Sequence, residues 1–279
     1  MKILSGRIAV VTGGASGIGF GLAKRFLEEG MKVVIADIDQ GQLNSAVHDL
    51  GKIGNIAGER VDVSDPRQIQ SLADSVMARH GAVHILCNNA GVGGLQRMRN
   101  TSLASWEWIL GVNLMGTING CRIFIPMLEQ QEEAHLVNTS SVAGLVYSPY
   151  HHPYNVSKAG VIALSEGLDF EFRQDGVNIG VSILIPGFVR SRMYDDERNA
   201  PPGVAPRSST DEDITGIRQA IEKSVTAGMN PDKVADLVVS GIRDRKLHIV
   251  THPEWLDLVR KRMEAIVQEK PLRLDYPNM

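Results

Sequence analysis

The chain has 279 residues, of which 43% are hydrophobic and 22% charged, the balance of a folded globular protein rather than a disordered one. Its 29 basic and 32 acidic residues leave a formal charge of −3, so no nucleic-acid or anionic-membrane partner is expected. Cys87 and Cys121 make neither a disulfide framework nor a four-ligand zinc site; two thiols suit a reducing, cytoplasmic setting.

The first apolar stretch, 8–11, runs into Thr12-Gly13-Gly14 and is too short for an export signal or a membrane span. Residues 7–12 read as a strand, and a helical pattern follows near 18–29. The alternation continues: strand 32–36, helix 40–50, strand 55–61, helix 66–80, strand 83–87, helix 103–128, strand 134–140, helix 155–174, strand 177–185 and strand 247–250. The strands are short and rich in Val and Ile, as strands buried on both faces are. Such alternation predicts an α/β fold with about seven parallel strands and helices on both faces.

One stretch breaks the rhythm. Residues 190–213 are polar and hold Pro201, Pro202 and Pro206, after which Ile214, Ile217, Ile221 and Val225 mark one helix face. We expect one domain over 1–279, with 190–228 inserted as a lid over the ligand edge of the sheet.

Thr12-Gly13-Gly14-Ala15-Ser16-Gly17-Ile18-Gly19 falls between the first strand and the first helix. Glycines there let the backbone approach a pyrophosphate, and the helix N-terminus offers N–H groups and positive potential. Asp37 stands at the end of the second strand, 18 residues beyond Gly19. A carboxylate there accepts hydrogen bonds from ribose hydroxyls and repels a 2′-phosphate. No Lys or Arg lies among Gly14, Ala15 and Ser16, and Ile38 follows Asp37. NAD is therefore expected rather than NADP; the alternative is that Asp37 caps the next helix. Asp62 and Asn88-Asn89-Ala90-Gly91 also fall at C-terminal strand ends, where small residues let a flat cofactor lie against the sheet.

Tyr154 and Lys158 are four residues apart and share one face of a helix. A phenol is a poor base near neutrality, and a nearby ammonium favours the phenolate. Ser141 ends the fifth strand, where its hydroxyl can hold a substrate oxygen.

Together with Asn113 and Pro186-Gly187, these motifs resemble the short-chain dehydrogenase/reductase family in order and identity over residues 7 to about 193. The resemblance implies a doubly wound, Rossmann-type sheet and a reversible NAD-dependent oxidation of an alcohol. It implies that Tyr154 is the acid/base, that Ser141 positions the substrate oxygen, and that Lys158 binds the nicotinamide ribose and lowers the Tyr154 pKa. Asn113 would hold a water joining Lys158 to a proton relay. The cofactor would contact Gly13, Ser16, Gly17, Ile18, Gly19, Asp37, Asp62, Val63, Asn89, Ala90, Gly91, Tyr154, Lys158, Pro186, Gly187, Val189 and Ser191. Ser191 stands where the family usually has Thr, and keeps the hydroxyl. The resemblance also implies a homodimer or homotetramer through helices 103–128 and 155–174, and Gly111, Gly116 and Gly120 are candidates for close helix approach.

Other chemistries fit less well. The Gly-x-Ser-x-Gly elbow of a serine hydrolase is absent around Ser16. No set among His80, His84, His151, His152, His248 and His252 has metal-ligand spacing, so no metal is expected. A non-enzymatic NAD sensor would not keep all four catalytic positions, and a carrier-bound acyl ketoreductase would lack Asp37 and the long lid. Trp106, Trp108 and Trp255 read as packing or interface residues. The substrate site is expected from Ser141, Leu145, Val146, Tyr150, Tyr154, Phe188, Met193 and Tyr194. That lining favours a bulky apolar secondary alcohol, cyclic terpenoid or aryl. Arg97, Arg99, Arg190 and Arg192 leave an acid or polyol as the alternative.

Overall fold

The computed structural model describes residues 1–193, 196–201, 204 and 212–272. Seven parallel strands form one sheet: β1 Ile8–Thr12, β2 Lys32–Asp37, β3 Ile56–Arg60, β4 Ile85–Asn88, β5 Ala134–Thr139, β6 Ile179–Ile185 and β7 His248–Val250. Their order is β3-β2-β1-β4-β5-β6-β7. The doubly wound architecture expected from the alternation is the one observed. Every residue of β1, β4, β5 and β6 is buried, which is why those segments read as unbroken apolar runs.

Alternate side chains serve two layers. Ala9, Val11, Val33 and Ile35 face α1 Gly17–Glu28, α2 Gln40–Leu50 and α8 Pro231–Arg243, through Leu22, Phe26, Leu43 and Val238. Val10, Val34, Leu86 and Leu136 face α3 Pro66–His80, α5 Gly116–Leu128 and α6 His152–Asp175, through Leu72, Val76, Phe124 and Phe172.

The single helix expected over 103–128 is three pieces: α4 Leu103–Leu110, a π turn Gly111–Met115, and α5. The turn places Asn113 inward, fully buried, and the Thr117 hydroxyl donates to the Asn113 carbonyl at 2.9 Å. This 26-residue stretch is long and apolar enough to cross a membrane, yet it packs against α3, β4 and α6 of its own fold. Its glycines turn inward as well. A Cβ on Gly116 would meet Val63 Cγ2 at 2.7 Å, and one on Gly120 would strike Asn88. At these two positions the glycine allows close approach to Val63 and Asn88 of the same chain.

Beyond β6 the described part of the insertion comprises a 3₁₀ turn, Asp196–Asn199, and α7 Glu212–Thr226. Ile214, Ile221 and Val225 are buried against Leu95, with Tyr150, Phe188 and Ile217 around them, so the expected apolar helix face is a packed one. After β7, α9 Leu256–Val267 is the last described helix.

Candidate active site

β1 and β4 are neighbours in the sheet. Their connections leave to opposite sides, so a crevice opens at their C-terminal ends. The turn after β1 forms one wall of this cleft. Gly13 has a φ of +63°, and a Cβ there would meet Ala90 Cα at 2.8 Å; Gly17 has a φ of +52°. Both positions call for glycine. Gly19 lies beneath, buried in α1. Ser16 caps α1 in an extended conformation without a side-chain hydrogen bond, and Ser16, Gly17 and Ile18 line the cleft. The first turn of the helix thus offers N–H groups and its positive end to an anion.

Asp37 marks the far end of the cleft. Its Oδ2 accepts from Ala15 N at 3.1 Å and its Oδ1 from Asp39 N at 3.1 Å. Each oxygen keeps a lone pair for a further donor. The cap of α2 is Asp39, which accepts from Gln42 N at 3.1 Å, so the capping alternative for Asp37 falls. Asp62 and Val63 line the same cleft, and Asp62 Oδ1 accepts from Ser64 N at 2.9 Å and Ser64 Oγ at 2.7 Å.

Thr12 ties the two central strands together. Its hydroxyl accepts from Asn89 N at 2.9 Å and Ala90 N at 3.2 Å, while Asn89 Nδ2 donates to the Thr12 carbonyl at 3.1 Å. This fixes the small residues Asn89, Ala90 and Gly91 along the cleft wall.

The inner end of the cleft carries the titratable groups. α6 begins at His152, three residues earlier than the spacing predicts, because Pro153 suits a first helical turn. Tyr154 and Lys158 are both buried on its opening turns and both line the cleft. Lys158 Nζ donates to the Thr139 carbonyl at 2.9 Å and lies 5.6 Å from the Tyr154 ring centroid. The Tyr154 hydroxyl donates to Met193 Sδ at 3.7 Å. Ser141 Oγ accepts from Ala143 N at 3.1 Å and donates to the Pro186 carbonyl at 3.4 Å.

The electrostatics differ from the sequence expectation. Burial pushes the Tyr154 phenol up to about 12, against the opposing hydrogen bond from Ser141. Burial also brings Lys158 down to about 8. In the protein alone, desolvation sets the phenol high and Ser141, rather than the Lys158 ammonium, is the group that opposes it.

Asn113 sits behind Gly91. Its Oδ1 accepts from Val92 N at 2.8 Å, and its Nδ2 donates to the Val92 carbonyl at 3.0 Å and Ser157 Oγ at 3.1 Å. It pins the segment after β4 to α6.

The loop after β6 divides between two spaces. Pro186 and Ser191 line both the cleft and a second cavity, whereas Gly187 and Val189, expected beside the cofactor, line only the second. The reason is local: Gly187 N donates to His252 Nδ1 at 3.1 Å, and Val189 bridges to Met229.

That second cavity, about 90 Å³, adjoins Tyr154 and is mostly apolar. Ser141, Val146, Tyr154, Phe188 and Met193 line it as expected. Leu145 does not; the 3₁₀ turn Val142–Gly144 directs it onto Ile162 and Ile185 in the core. Tyr150 packs against the Leu95–Ile214 cluster, with the Arg97 guanidinium 5.2 Å from its ring centroid. Tyr194 lies outside the described residues. Sequence reasoning missed Ser148 and His151, which line the cavity from the segment before α6, whereas Ile221 and Val225 line it from the apolar helix face expected to close over the site. It also set the tryptophans aside: Trp255 lines the cavity with its ring 6.0 Å from Phe188, and Trp108 lines the cleft. No local pattern marks Ser148, His151, Trp108 or Trp255 as lining residues; only the tertiary fold brings them to the site.

Comparisons with known proteins bear on this arrangement. The family model for short chain dehydrogenase matches residues 7–202. A short-chain dehydrogenase/reductase from Burkholderia phymatum, solved in complex with NAD, superposes with a TM-score of 0.95 at 37% identity, over 99% of this chain and all of that one. The C alpha-dehydrogenase of Sphingobium sp. is 34% identical over 274 residues, covering 96% of this chain and 87% of the relative. A CLA biosynthesis dehydrogenase/reductase from Lactiplantibacillus plantarum is 29% identical, with 96% of each chain covered.

Proposed function

From the premise that the chain belongs to the short-chain dehydrogenase/reductase family, and so is an oxidoreductase acting on CH–OH groups with a nicotinamide dinucleotide, we propose that it oxidises a hydrophobic secondary alcohol to its ketone with NAD. The observation that carries this reading is the apolar cavity opening beside the Tyr154 hydroxyl. A cavity of about 90 Å³ suits a single ring better than a fused polycycle. An aryl carbinol therefore stands ahead of a cyclic terpenoid, in keeping with the C alpha-dehydrogenase name of a relative.

The residues present fit a dinucleotide. The Gly13 cradle has no room for a side chain, the α1 N-terminus suits a pyrophosphate, and Asp37 has two oriented oxygens for ribose hydroxyls. The carboxylate disfavours a 2′-phosphate, and the similar structure from Burkholderia phymatum was solved with NAD. When bound, the nicotinamide supplies the hydride acceptor. Ser141 holds the substrate hydroxyl, and Tyr154 takes its proton. Lys158, at the base of the cleft, would hold the nicotinamide ribose and favour the phenolate once the cleft is filled. Asn113 would orient a water that passes the proton onward. Phe188, Val225 and Trp255 enclose the ring and exclude water. Residues 190–228 act as the lid, with Ile221 and Val225 of α7 on its inner face.

The arginines that favoured an acid or polyol stand elsewhere: Arg97 lies over Tyr150, and Arg192 lines the cleft, not the cavity. An initial-rate screen of secondary alcohols with NAD and NADP at alkaline pH tests the proposal. Aryl carbinols should lead in kcat/KM with NAD; sugars, hydroxy acids or 3-hydroxyacyl thioesters leading would overturn it.

A further inference from the structure

Two polar residues stand in the wall of the apolar cavity with no part in the reaction. Ser148 and His151 both line it, and Ser148 Oγ lies 3.0 Å from His151 Nδ1. Their segment is fixed at several points. Asn155 Nδ2 donates to the Ser148 carbonyl at 2.8 Å, Asn155 N donates to the His151 carbonyl at 2.8 Å, and Gln96 N donates to the Tyr150 carbonyl at 2.9 Å. His151 is buried, and that burial, with His152 nearby, brings its pKa down to about 4. At neutral pH it is an uncharged imidazole, with one nitrogen a donor and the other an acceptor.

The serine keeps hydrogen-bonding capacity in either tautomer. If Nδ1 is the acceptor, Ser148 uses its proton and keeps its lone pairs. If Nδ1 carries the proton, Ser148 uses one lone pair and keeps a donor and an acceptor. The cavity wall is otherwise largely apolar, with Ala143, Val146, Phe188 and Val225 among its lining, and its other hydroxyls are those of Ser141, Tyr154 and Ser191. A purely hydrocarbon ligand would cover the Ser148 hydroxyl without answering it, at a cost; a ligand hydroxyl answers it in both tautomers. The His151 and Tyr154 rings pack against each other at 6.1 Å, which sets the Ser148–His151 pair beside the acid/base in the same cavity wall.

We propose that Ser148, oriented by His151, is a specificity-determining residue that binds a second hydroxyl on the substrate, making the preferred class a phenolic aryl carbinol rather than an unsubstituted one. This deepens the secondary-alcohol reading and rests on it for the position of the reacting carbon.

The test measures binding first. Acetophenone, 3-hydroxyacetophenone and 4-hydroxyacetophenone are titrated by calorimetry into the protein saturated with NAD, which cannot reduce them, for wild type, Ser148→Ala and Ser148→Thr. One hydroxy ketone should bind wild type about five- to tenfold tighter than acetophenone, the worth of one neutral hydrogen bond. That ratio should fall toward one in Ser148→Ala and persist in Ser148→Thr, which keeps the hydroxyl. A wild-type ratio near one, or an unchanged ratio in Ser148→Ala, overturns the assignment. If Ser148→Ala does not fold, the wild-type ratio and its persistence in Ser148→Thr decide. Turnover of the same ketones separates the two proposals: binding discrimination without reduction refutes the aryl-carbinol reaction and leaves Ser148 standing, whereas reduction of all three at equal affinity does the reverse.

Discussion

Tyr154 and Asp37 carry the two sharpest expectations at the level of single residues. In Tyr154→Phe the ring keeps its place beside Lys158 and Met193, but the only proton acceptor at the substrate is gone. Turnover should fall by about 10²–10⁴-fold, the usual worth of general acid–base catalysis, while NADH affinity stays within a few-fold. Retention of more than about a tenth of wild-type kcat would remove Tyr154 from the role. Asp37→Ser should raise the NADP/NAD ratio of kcat/KM, because the carboxylate that repels a 2′-phosphate is lost. It should also weaken NAD, since Asp37 holds Ala15 N and Asp39 N as well as facing the cleft. A wild-type preference for NADP would show that another group sets the choice. The spacing of Tyr154 and Lys158 put both on one helix face, because i and i+4 are neighbours there, while their roles came from the resemblance of the whole motif set. The direction of the Tyr154 shift was not legible, because it depends on burial that no pair of letters encodes.

The elements show why some of the site could be read and some could not. β1, β4 and β5 announce themselves because burial on both faces demands unbroken apolar runs, and the cleft follows from where those strands end. The π turn at Gly111–Met115 leaves no such trace, because a locally widened turn barely disturbs a helical pattern. Leu145 was misplaced for a related reason: a three-residue 3₁₀ turn rotates the chain between Ser141 and Val146, sending neighbours to opposite sides. α7 was legible as one apolar face, and the structure adds what that face touches. Ile221 lines the cavity but not the dinucleotide cleft. Ile221→Ala should therefore raise KM for the alcohol several-fold, through lost burial at about 25 cal/mol per Å², with KM for NAD unchanged. Equal changes in both constants would mean that α7 acts on the whole cleft rather than on the substrate.

For the whole molecule, acid sensitivity follows from histidines that the fold buries uncharged. His135 lies within β5 with its Nε2 2.9 Å from Ser182 Oγ, and burial brings its pKa down to about 3. His151 comes down to about 4, also chiefly through burial. Both folded values lie below the unfolded value of about 6.5, so below that pH the unfolded chain binds protons that the native chain refuses. The stability this confers is fully present above about pH 6.5 and is lost as pH falls toward the folded values. Each histidine contributes about 1.4 kcal/mol per pH unit inside that window, so the pair should remove about 5 kcal/mol between about pH 6.5 and 4.5. That is a large share of the 5–15 kcal/mol typical of a native protein. His80 and His84 are shifted downward as well and act in the same sense. Asp65, held down to about 2 by hydrogen bonds from Arg67, loses its contribution only in more acid solution. Urea unfolding at pH 7 and pH 5 reads the slope directly. His135→Gln should flatten the pH dependence by about one proton's worth, whatever it does to stability at pH 7, because the difference between the two pH values cancels the packing loss. An unchanged difference would place the acid sensitivity elsewhere in the molecule.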